Sequence, residues 1–447
     1  MCAMKQQSVG ERLTQRLPKK ILRLVHQVGA LADEQGVALY LVGGVVRDLF
    51  LKRRNWDLDL AVEGNGVAFA RLVAERSGAG LALFERFATA RLVMPNGIKV
   101  DIASTRRESY RQPAALPDVE PTSLSEDLYR RDFTINAMAI QLNTAQFGQL
   151  YDPYGGQRDL KANTLRVLHK GSFQDDPTRI FRAIRFAQRF GFGLEPSTRR
   201  LLMEGAKSDL VAQLSGSRLC NEILLLFSEQ QPRQSIEWLA RLKLLRFLHP
   251  DLRYVGLSKR IVPSLPKALT WWATHCPYPP IDRPVVYLMA LLDGAEHAVV
   301  EAVVTRLMLS NEQARKVHAS GKWIKTMARK LRRTVRLRPS EVYHLLNGLP
   351  DEGLVLCLAM VGTQTASLGR MKRRVRDFVT TLRMTKTVLR GDDLLKMGLK
   401  PGPQVGAILA QLLDAKLDGI VQRRADERAF IRALLVRSEA NRIGARS

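Results

Sequence analysis

Residues 41–62, LVGGVVRDLFLKRRNWDLDLAV, constrain the fold of this chain more than any other stretch. An apolar, strand-like run ends in Gly43-Gly44, Arg47 and Asp48 follow, and Asp57 and Asp59 close the segment. A tight glycine turn lets backbone N–H groups approach a phosphate. Alternate residues of a strand share a face, so both carboxylates of the DLDL run point the same way. Two carboxylates on a sheet edge suit Mg²⁺ and leave room for water and phosphate oxygens. With the Arg47 guanidinium for phosphate charge, the segment points to a nucleoside-triphosphate site performing two-metal nucleotidyl transfer. The ordinary alternative is a structural glycine turn with incidental acids.

The surroundings read as mixed α and β. Residues 19–36 carry Ile21, Leu22, Val25, Val28 and Leu31 at helical spacing. Residues 37–43 read as a buried strand, 45–52 as a helix, 57–62 as a second strand and 66–79 as a helix. Two strand-like runs, LALFERFATARLVM and IKVDIAS, flank Pro95-Asn96-Gly97, and Asn-Gly between apolar runs predicts a hairpin. Beyond residue 160 the pattern becomes helical. Helices are predicted over 176–190, 198–213, 216–228, 232–246, 283–307 and 311–333, then over 339–347, 352–366, 370–386, 402–416 and 424–438. The proline-rich stretch 277–284 is the clearest loop. The fold class is therefore α+β at the head, with a small mixed sheet, followed by an all-α remainder. At 447 residues, two to four domains are expected.

The charge balance indicates a partner class. Lys and Arg number 70 against 43 Asp and Glu, a net of +27, and a surface this basic points first to nucleic acid. Residues 301–447 hold 29 basic and 13 acidic side chains, so the last third carries more than half of the excess. Its runs 329–338 and 370–376 supply Arg332, Arg333, Arg336, Lys372, Arg373 and Arg374 as candidate RNA-backbone contacts. Solvated helix faces are the alternative. Trp271-Trp272 reads as core or interface packing. Cys2, Cys220, Cys276 and Cys357 lack metal-ligand spacing and suggest neither zinc nor a disulfide framework. The N-terminus has no signal-peptide run, and no stretch approaches the roughly 18 apolar residues of a membrane span. A cytoplasmic protein without a membrane partner is expected.

Three further blocks carry chemistry. Asp101 lies mid-strand in IKVDIAS, where an unpaired carboxylate is costly. It is a candidate third catalytic carboxylate, or else it pairs with Arg106 or Arg107. Arg130, Arg131 and Asp132 open the segment RRDFTINAMA, which runs through Asn136, and suit phosphate and ribose contacts. In DDPTRIFRAIRF, Asp then Pro signals a helix start. Arg179, Arg182 and Arg185 recur every third residue, and Asp176 and Arg179 are neighbours on that side. Cytosine and adenine both present an amino donor beside a ring acceptor. An Asp accepting the one and an Arg donating to the other would select C and A over G and U. An ordinary i,i+3 salt bridge is the alternative.

In order and spacing, GGVVRD…DLDL, RRDFTINAMA and DDPTRIFRAIRF resemble the head and neck motifs of class II tRNA nucleotidyltransferases. That family comprises CCA-adding enzymes, partial CC-adding and A-adding relatives, and bacterial poly(A) polymerases. The resemblance covers about residues 38–225. It implies a polymerase-β-like head, a helical neck, body and tail, Mg²⁺ as the one cofactor, and template-free choice of CTP and ATP. It implies Asp57 and Asp59 as metal ligands. It implies nucleotide contacts for Gly44, Arg47, Arg130 or Arg131, Asp176, Arg179, Arg182 and Arg185, with Gly43, Asp132 and Asn136 in the same motifs. Asp175 stands where many members have Glu. The implied division is a catalytic head at 1–160, a nucleotide-selecting neck at 161–230, an RNA-binding body at 231–385 and a tRNA-binding tail at 386–447. The segment GDDLLKMGLKPGPQVG is similar to the tail of tRNA-type members, a helix cap and turn being the alternative. With no His-Asp dipeptide, a fused metal phosphohydrolase domain is not expected, nor, from the short stretch before the head, is a large N-terminal domain.

The expected function is addition of CMP and/or AMP from CTP or ATP to the tRNA 3′ end. The segment 105–129 corresponds to a region that varies between full and partial CCA enzymes. The overall resemblance of ESYRQPAALPDVE and FQDDPTRIFRAIRF leans towards the partial, A-adding type. A poly(A) polymerase is the first alternative, against which the tail-like segment argues. A non-catalytic RNA-binding protein with a relic head is the second, against which the intact motifs argue.

Overall fold

The apolar run before Gly43 becomes an inner strand of a seven-stranded mixed sheet. The computed structural model describes residues 9–109, 117–276, 278–319, 322–332, 336–360 and 365–444. Two units are separable by their internal packing, residues 1–247 and 248–447.

The first unit opens with helices α1 (Val9–Arg16) and α2 (Lys19–Glu34), followed by β1 (Ala38–Val42), α3 (Gly44–Phe50) and β2 (Leu58–Glu63). Then come α4 (Gly66–Ser77), β3 (Gly80–Phe84), β4 (Thr89–Val93), β5 (Lys99–Ser104), the hairpin β6 (Arg106–Ser109) and β7 (Asp118–Pro121), and α5 (Leu124–Tyr129). The sheet closes with β8 (Ala139–Gln141) and β9 (Leu150–Tyr151), and its order is β3-β4-β5-β2-β1-β8-β9. Only β2 and β5 run parallel; the other neighbours are antiparallel. That register sets Asp101 beside Asp59 on one side and beside Arg91 on the other.

Successive residues of β1 alternate faces, yet Leu39, Tyr40, Leu41 and Val42 are all buried. The reason is that both faces are covered. Tyr40 and Val42 pack with Leu124 and Leu128 of α5, while α2 lies on β1 and α4 on β2, β4 and β5. A strand covered on both sides reads as a continuous apolar run. Each such side chain contributes about 1.5–3 kcal/mol by leaving water.

Helices then take over: α6 (Gly156–Lys161), α7 (Ser172–Asp175), α8 (Thr178–Phe190), α9 (Pro196–Lys207), α10 (Gly216–Ser228) and α11 (Pro232–Arg241). In α8 the apolar stripe Ile180, Phe181, Ala183, Ile184 and Ala187 is buried, and the helix packs on α10 and α11. Gly191, in the left-handed conformation, ends it. A short parallel pair, β10 (Thr164–Leu165) and β11 (Gly193–Leu194), ties the chain on either side of α8 together.

The second unit is helical among its described residues. Its helices are α12 (Gly256–Ile261), α13 (Leu265–His275), α14 (Arg283–Leu292), α15 (His297–Arg306), α16 (Asn311–His318) and α17 (Lys322–Arg332). They continue as α18 (Pro339–Leu346), α19 (Asp351–Ala359), α20 (Thr365–Thr380), α21 (Gly391–Lys396), α22 (Pro403–Leu417) and α23 (Arg424–Gly444). Leu389, Leu394, Leu399, Leu412, Ala415, Val421 and Ile431 form a separate small core under the last three helices. None of the described helices is long and apolar enough to cross a membrane, and Cys220, Cys276 and Cys357 are buried free thiols.

The sequence and the structure part at several joints. LALFERFATARLVM is not one strand: it folds back on itself at Glu85–Phe87, with Ala88 at φ +47°, so that β3 and β4 pair with each other. The predicted helix 283–307 breaks at Asp293-Gly294, and 311–333 divides into α16 and α17. The hairpin β6–β7 and helices α12, α13 and α21 carry too weak a period to be read in advance. Among the DDPTRIFRAIRF residues, Pro177 sits at the N-cap, so α8 starts at Thr178 rather than Asp176.

Candidate active site

Stretches far apart in the sequence line one cavity of about 560 Å³ in the first unit. Gly43 comes from the turn before α3, Gly44 and Arg47 from α3 itself, Asp57 from the residue before β2 and Asp59 from β2. Arg130, Arg131, Asp132 and Asn136 follow α5, and Asp176, Arg179, Arg182 and Arg185 come from α8 and the residue pair before it. Every predicted nucleotide contact is thus on one wall or another of the same cavity.

Gly43 has φ +74°, a conformation that disfavours any side chain. A Cβ there would lie 3.2 Å from Arg131 Nη1 and 3.7 Å from Asp59 Oδ2. The glycine therefore lets the Arg131 guanidinium settle beside the carboxylate edge. Asp57 is exposed and Asp59 half-buried. Burial pushes the Asp59 carboxyl up to about 6; Arg131 opposes this, and the neighbouring Asp101 and Asp57 carboxylates reinforce it. Crowded carboxylates beside one partly buried oxygen pair are relieved by a divalent cation, so Asp57 and Asp59 fit one. Among the described residues no cluster of three His, Cys, Asp or Glu ligands gathers. A pair leaves the rest of the coordination shell to water and phosphate oxygens, as Mg²⁺ prefers.

Asp101 behaves differently from its two candidate companions. Its carboxylate accepts from Arg91 Nε at 2.7 Å and Nη2 at 2.8 Å, and it does not line the cavity. Neither Arg106 nor Arg107, the partners expected from proximity in sequence, makes this pair. Arg106 turns to Glu108 and Arg107 to Glu120, because antiparallel β4 places Arg91 directly opposite Asp101.

Most cavity arginines are braced by acids. Arg47, buried, donates from Nε to Asp48 Oδ1 at 2.9 Å and from Nη2 to Asp48 Oδ2 at 2.8 Å. Its Nη1 donates to Asn136 Oδ1 at 2.7 Å, and the Asn136 amide donates to Asp132 Oδ1 at 2.8 Å. Asp132 Oδ2 accepts in turn from Arg182 Nε at 2.8 Å and from its Nη2. A continuous chain of hydrogen bonds thus runs from α3 to α8. Burial raises the Asp132 carboxyl, but Arg182 and Asn136 outweigh it and hold it below the ordinary carboxylate range. Arg185 reaches Glu222 at 3.4 Å. The Phe186 ring underlies three guanidiniums, with Arg47, Arg182 and Arg185 at 5.4, 5.3 and 5.0 Å from its centroid.

Asp127, which the sequence reading passed over, anchors the arginine pair. Its Oδ1 accepts from Arg130 Nη2 at 2.7 Å and its Oδ2 from Arg131 Nη2 at 2.9 Å. Among the described residues, the buried Nε–H groups of Arg131 and Arg185 find no acceptor. Two orphaned cationic donors at one cavity favour an anionic ligand.

Asp176 and Arg179 both line the cavity but form no ion pair with each other among the described residues. Asp176 Oδ1 accepts from Arg218 Nη2 at 2.7 Å and from the Thr178 backbone and hydroxyl. Arg179 donates to the Ser172 hydroxyl at 2.8 Å and to the Arg130 carbonyl at 2.6 Å. No described donor reaches Asp176 Oδ2.

Residues 39–166 match the poly A polymerase head domain, and residues 191–255 match the probable RNA and SrmB-binding site of polymerase A. The A-adding tRNA nucleotidyltransferase of Geobacter sulfurreducens is 39% identical over 428 residues, 95% of this chain and 48% of that one. The A-adding tRNA nucleotidyltransferase of Halalkalibacterium halodurans is 31% identical over 421 residues, 92% of each chain. The chain belongs to the tRNA nucleotidyltransferase family. It spans about half the length of the Geobacter relative. In structure it is similar to the Thermotoga maritima CCA-adding enzyme complexed with tRNA_CCA, with a TM-score of 0.75 and 32% identity, covering 96% of this chain and 99% of that one. The polymerase-β-like head and helical remainder of the family are the fold observed.

For this family member, sequence reasoning missed Asn55, Glu108, Asp127, Phe186 and Arg189. Asn55 bridges Asp48 and the Asp57 backbone at 2.8 and 3.0 Å. Glu108 sits on the unread hairpin and pairs with Arg130 at 2.8 Å. Only Phe186 carried a signal, as the aromatic amid the arginine repeat. Of the candidate RNA contacts in the second unit, Arg336 and Arg373 are exposed and Lys372 is half-buried. Arg332 and Arg374 are also half-buried, and Arg374 donates to the Leu331 carbonyl at 2.8 Å, tying α20 to α17. Arg333 and residues 110–116 lie outside the described residues. Trp272 is core, while Trp271 stacks on His275 with centroids 4.3 Å apart and carries Arg376 over its ring.

Proposed function

We propose that the chain transfers AMP from ATP to the 3′ end of a tRNA that already ends in CC, in the cytoplasm and with Mg²⁺. The observation that carries this reading is a single cavity joining the Asp57/Asp59 edge, the arginines and the Asp176 acceptor. The two relatives named as A-adding support AMP as the residue transferred. Within the chain, residues 1–160 would perform transfer and 161–230 choose the nucleotide, while 231–385 and 386–447 would hold the RNA.

In this reaction the RNA 3′-hydroxyl oxygen attacks the α-phosphorus of ATP. The bond from that phosphorus to its bridging oxygen breaks, pyrophosphate leaves with the electron pair, and the hydroxyl proton passes to solvent. Asp57 and Asp59 would hold Mg²⁺, which when bound neutralises phosphate charge and acidifies the hydroxyl. Arg131 and Arg185 offer their orphaned donors to the triphosphate. Asp176 Oδ2 accepts from the adenine amino group while Arg179 donates to the adjacent ring nitrogen. Guanine and uracil reverse donor and acceptor there, so each would face Asp176 with an acceptor. The bracing of Arg182 by Asp132 keeps the base wall fixed relative to the phosphate wall.

One assay tests the reading: Mg²⁺, labelled ATP or CTP, and tRNA ending at the discriminator base, at C, or at CC. A single AMP on the CC-ending tRNA alone is expected. CMP addition to the shorter tRNAs would replace it with a fuller CCA activity. Long A tails on any RNA would favour a poly(A) polymerase, and no incorporation a non-catalytic RNA-binding protein. Asp57→Ala and Asp59→Ala should each lower transfer by about 10³-fold or more, with tRNA affinity nearly intact. Asp176→Ala should admit GTP and UTP; unchanged rejection of both would remove Asp176 from base selection.

A further inference from the structure

A second hollow, of about 290 Å³, adjoins the cavity, and Glu108, Arg130 and Arg179 line both. Its volume is at the lower end of the roughly 300–1,000 Å³ typical of ligand sites and suits one nucleoside. Tyr129, the last residue of α5, forms part of its wall and remains 45% exposed. That ring is held in place. It lies 5.6 Å from Tyr154 and 5.2 Å from His169, at 46° and 34°, and the Tyr154 hydroxyl is fixed to the Ser125 carbonyl at 2.9 Å. An aromatic ring buttressed by two others, yet left open beside a nucleotide cavity, is the arrangement on which single-stranded nucleic acid stacks.

The charges of the hollow decide which ligand it takes. Arg107, Arg130 and Arg179 are matched by Glu108, Glu126 and Asp175. A balanced lining has no preference for a triphosphate, which the carboxylate edge and orphaned arginine donors of the larger cavity serve better. It suits an uncharged base with polar edges. Burial also holds His169 below its ordinary pKa, with Asp175 opposing and Arg179 assisting, so the ring beside Tyr129 is a neutral one at physiological pH.

We propose that this hollow receives the base of the RNA's 3′-terminal nucleotide, stacked on Tyr129, so that its ribose 3′-hydroxyl is delivered across Arg130 towards the bound ATP. The inference rests on the transfer reading above and adds to it the subsite for the acceptor end. Tyr129 is a binding residue here, and it acts on the RNA rather than on the incoming nucleotide.

Two readouts test it. In single-nucleotide addition, Tyr129→Ala and Tyr129→Leu should raise the KM for CC-ending tRNA about ten-fold, the scale of one lost base stack, while the KM for ATP stays within about two-fold. Tyr129→Phe should restore the wild-type KM for RNA. An unchanged RNA KM in both the Ala and Leu variants, or a rise in the ATP KM instead, overturns the proposal. The second readout needs no catalysis. A tRNA whose terminal base is 2-aminopurine should be quenched on binding the wild-type chain and should regain fluorescence with Tyr129→Leu; equal quenching by both overturns the subsite. A wild-type chain that quenches this RNA but adds no nucleotide refutes the transfer reading and leaves the subsite standing.

Discussion

In the proposed reaction, the Asp59 carboxylate is the residue that would couple the fold to transfer. Its proton is held up to about 6, first by burial and then by the carboxylates beside it, against the pull of Arg131. A carboxyl raised in the folded state costs stability as it ionises. That loss sets in between its unfolded value near 4 and the folded value of about 6 as pH rises. A divalent cation reverses the preference by binding only the ionised form. The concentration of Mg²⁺ needed for half-maximal transfer should therefore rise about ten-fold for each pH unit below 6 and level off above pH 7. A Mg²⁺ requirement constant from pH 5 to 7.5 would show that Asp59 is not the group binding the metal. Stability of the metal-free chain should fall as pH rises from about 4 to 6 and change no further above that.

At the scale of elements, the order of strands creates the site and short polar devices hold it. Parallel pairing of β2 with β5 places Asp101 beside Asp59, and antiparallel β4 then supplies Arg91 to occupy Asp101. The helical part of the first unit is secured less by long helices than by their ends. Glu195 caps α9, accepting from the Thr198 backbone at 2.8 Å and the Ser197 hydroxyl at 2.5 Å. Thr198 in turn accepts from the Val167 backbone at 3.1 Å, which locks α9 to the segment after β10. Burial raises the Glu195 carboxyl, but these hydrogen bonds outweigh it and bring it to about 2. The stabilisation is complete above the unfolded value near 4.5 and vanishes as pH falls through about 2. Glu195→Ala should cost about 1 kcal/mol, seen as roughly five-fold faster amide exchange in α9 at pH 7. Unchanged exchange would show that the cap does not hold the helix.

Across the whole molecule, charge is the property that no single site accounts for. The net of +27 exceeds anything the braced arginines of the cavity require, and residues 301–447 carry 29 basic side chains against 13 acidic. If this surface holds tRNA, about six phosphate contacts would weaken binding on the order of 10³-fold between 50 and 200 mM salt. A dissociation constant indifferent to salt would deny the basic surface that role. Arg332 and Arg374 warn against counting charges from sequence alone, since Arg332 turns to the Met360 sulfur after α19 and Arg374 to the Leu331 carbonyl, tying α20 to α17.

The sequence by itself determined the head, because a strand, a glycine turn and a DLDL run leave few ways to fold. It also pointed to the chemistry proposed, because DxD, paired arginines and an Asp-Pro-Thr-Arg helix start are local patterns, and the structure brings all of them to one cavity. What remained hidden was who pairs with whom. Asp101 meets Arg91 rather than Arg106, Arg47 is neutralised by its neighbour Asp48, and Asp176 turns to Arg218 rather than Arg179. Asp127 and Glu108, which aim Arg130 and Arg131, lie in a weakly patterned stretch and gave no sign of their role. The physical reason is common to all of these. Periodicity records which face a residue occupies, whereas an ion pair depends on strand register and helix approach. Those are set by the packing of distant segments, and so only the tertiary structure decides them.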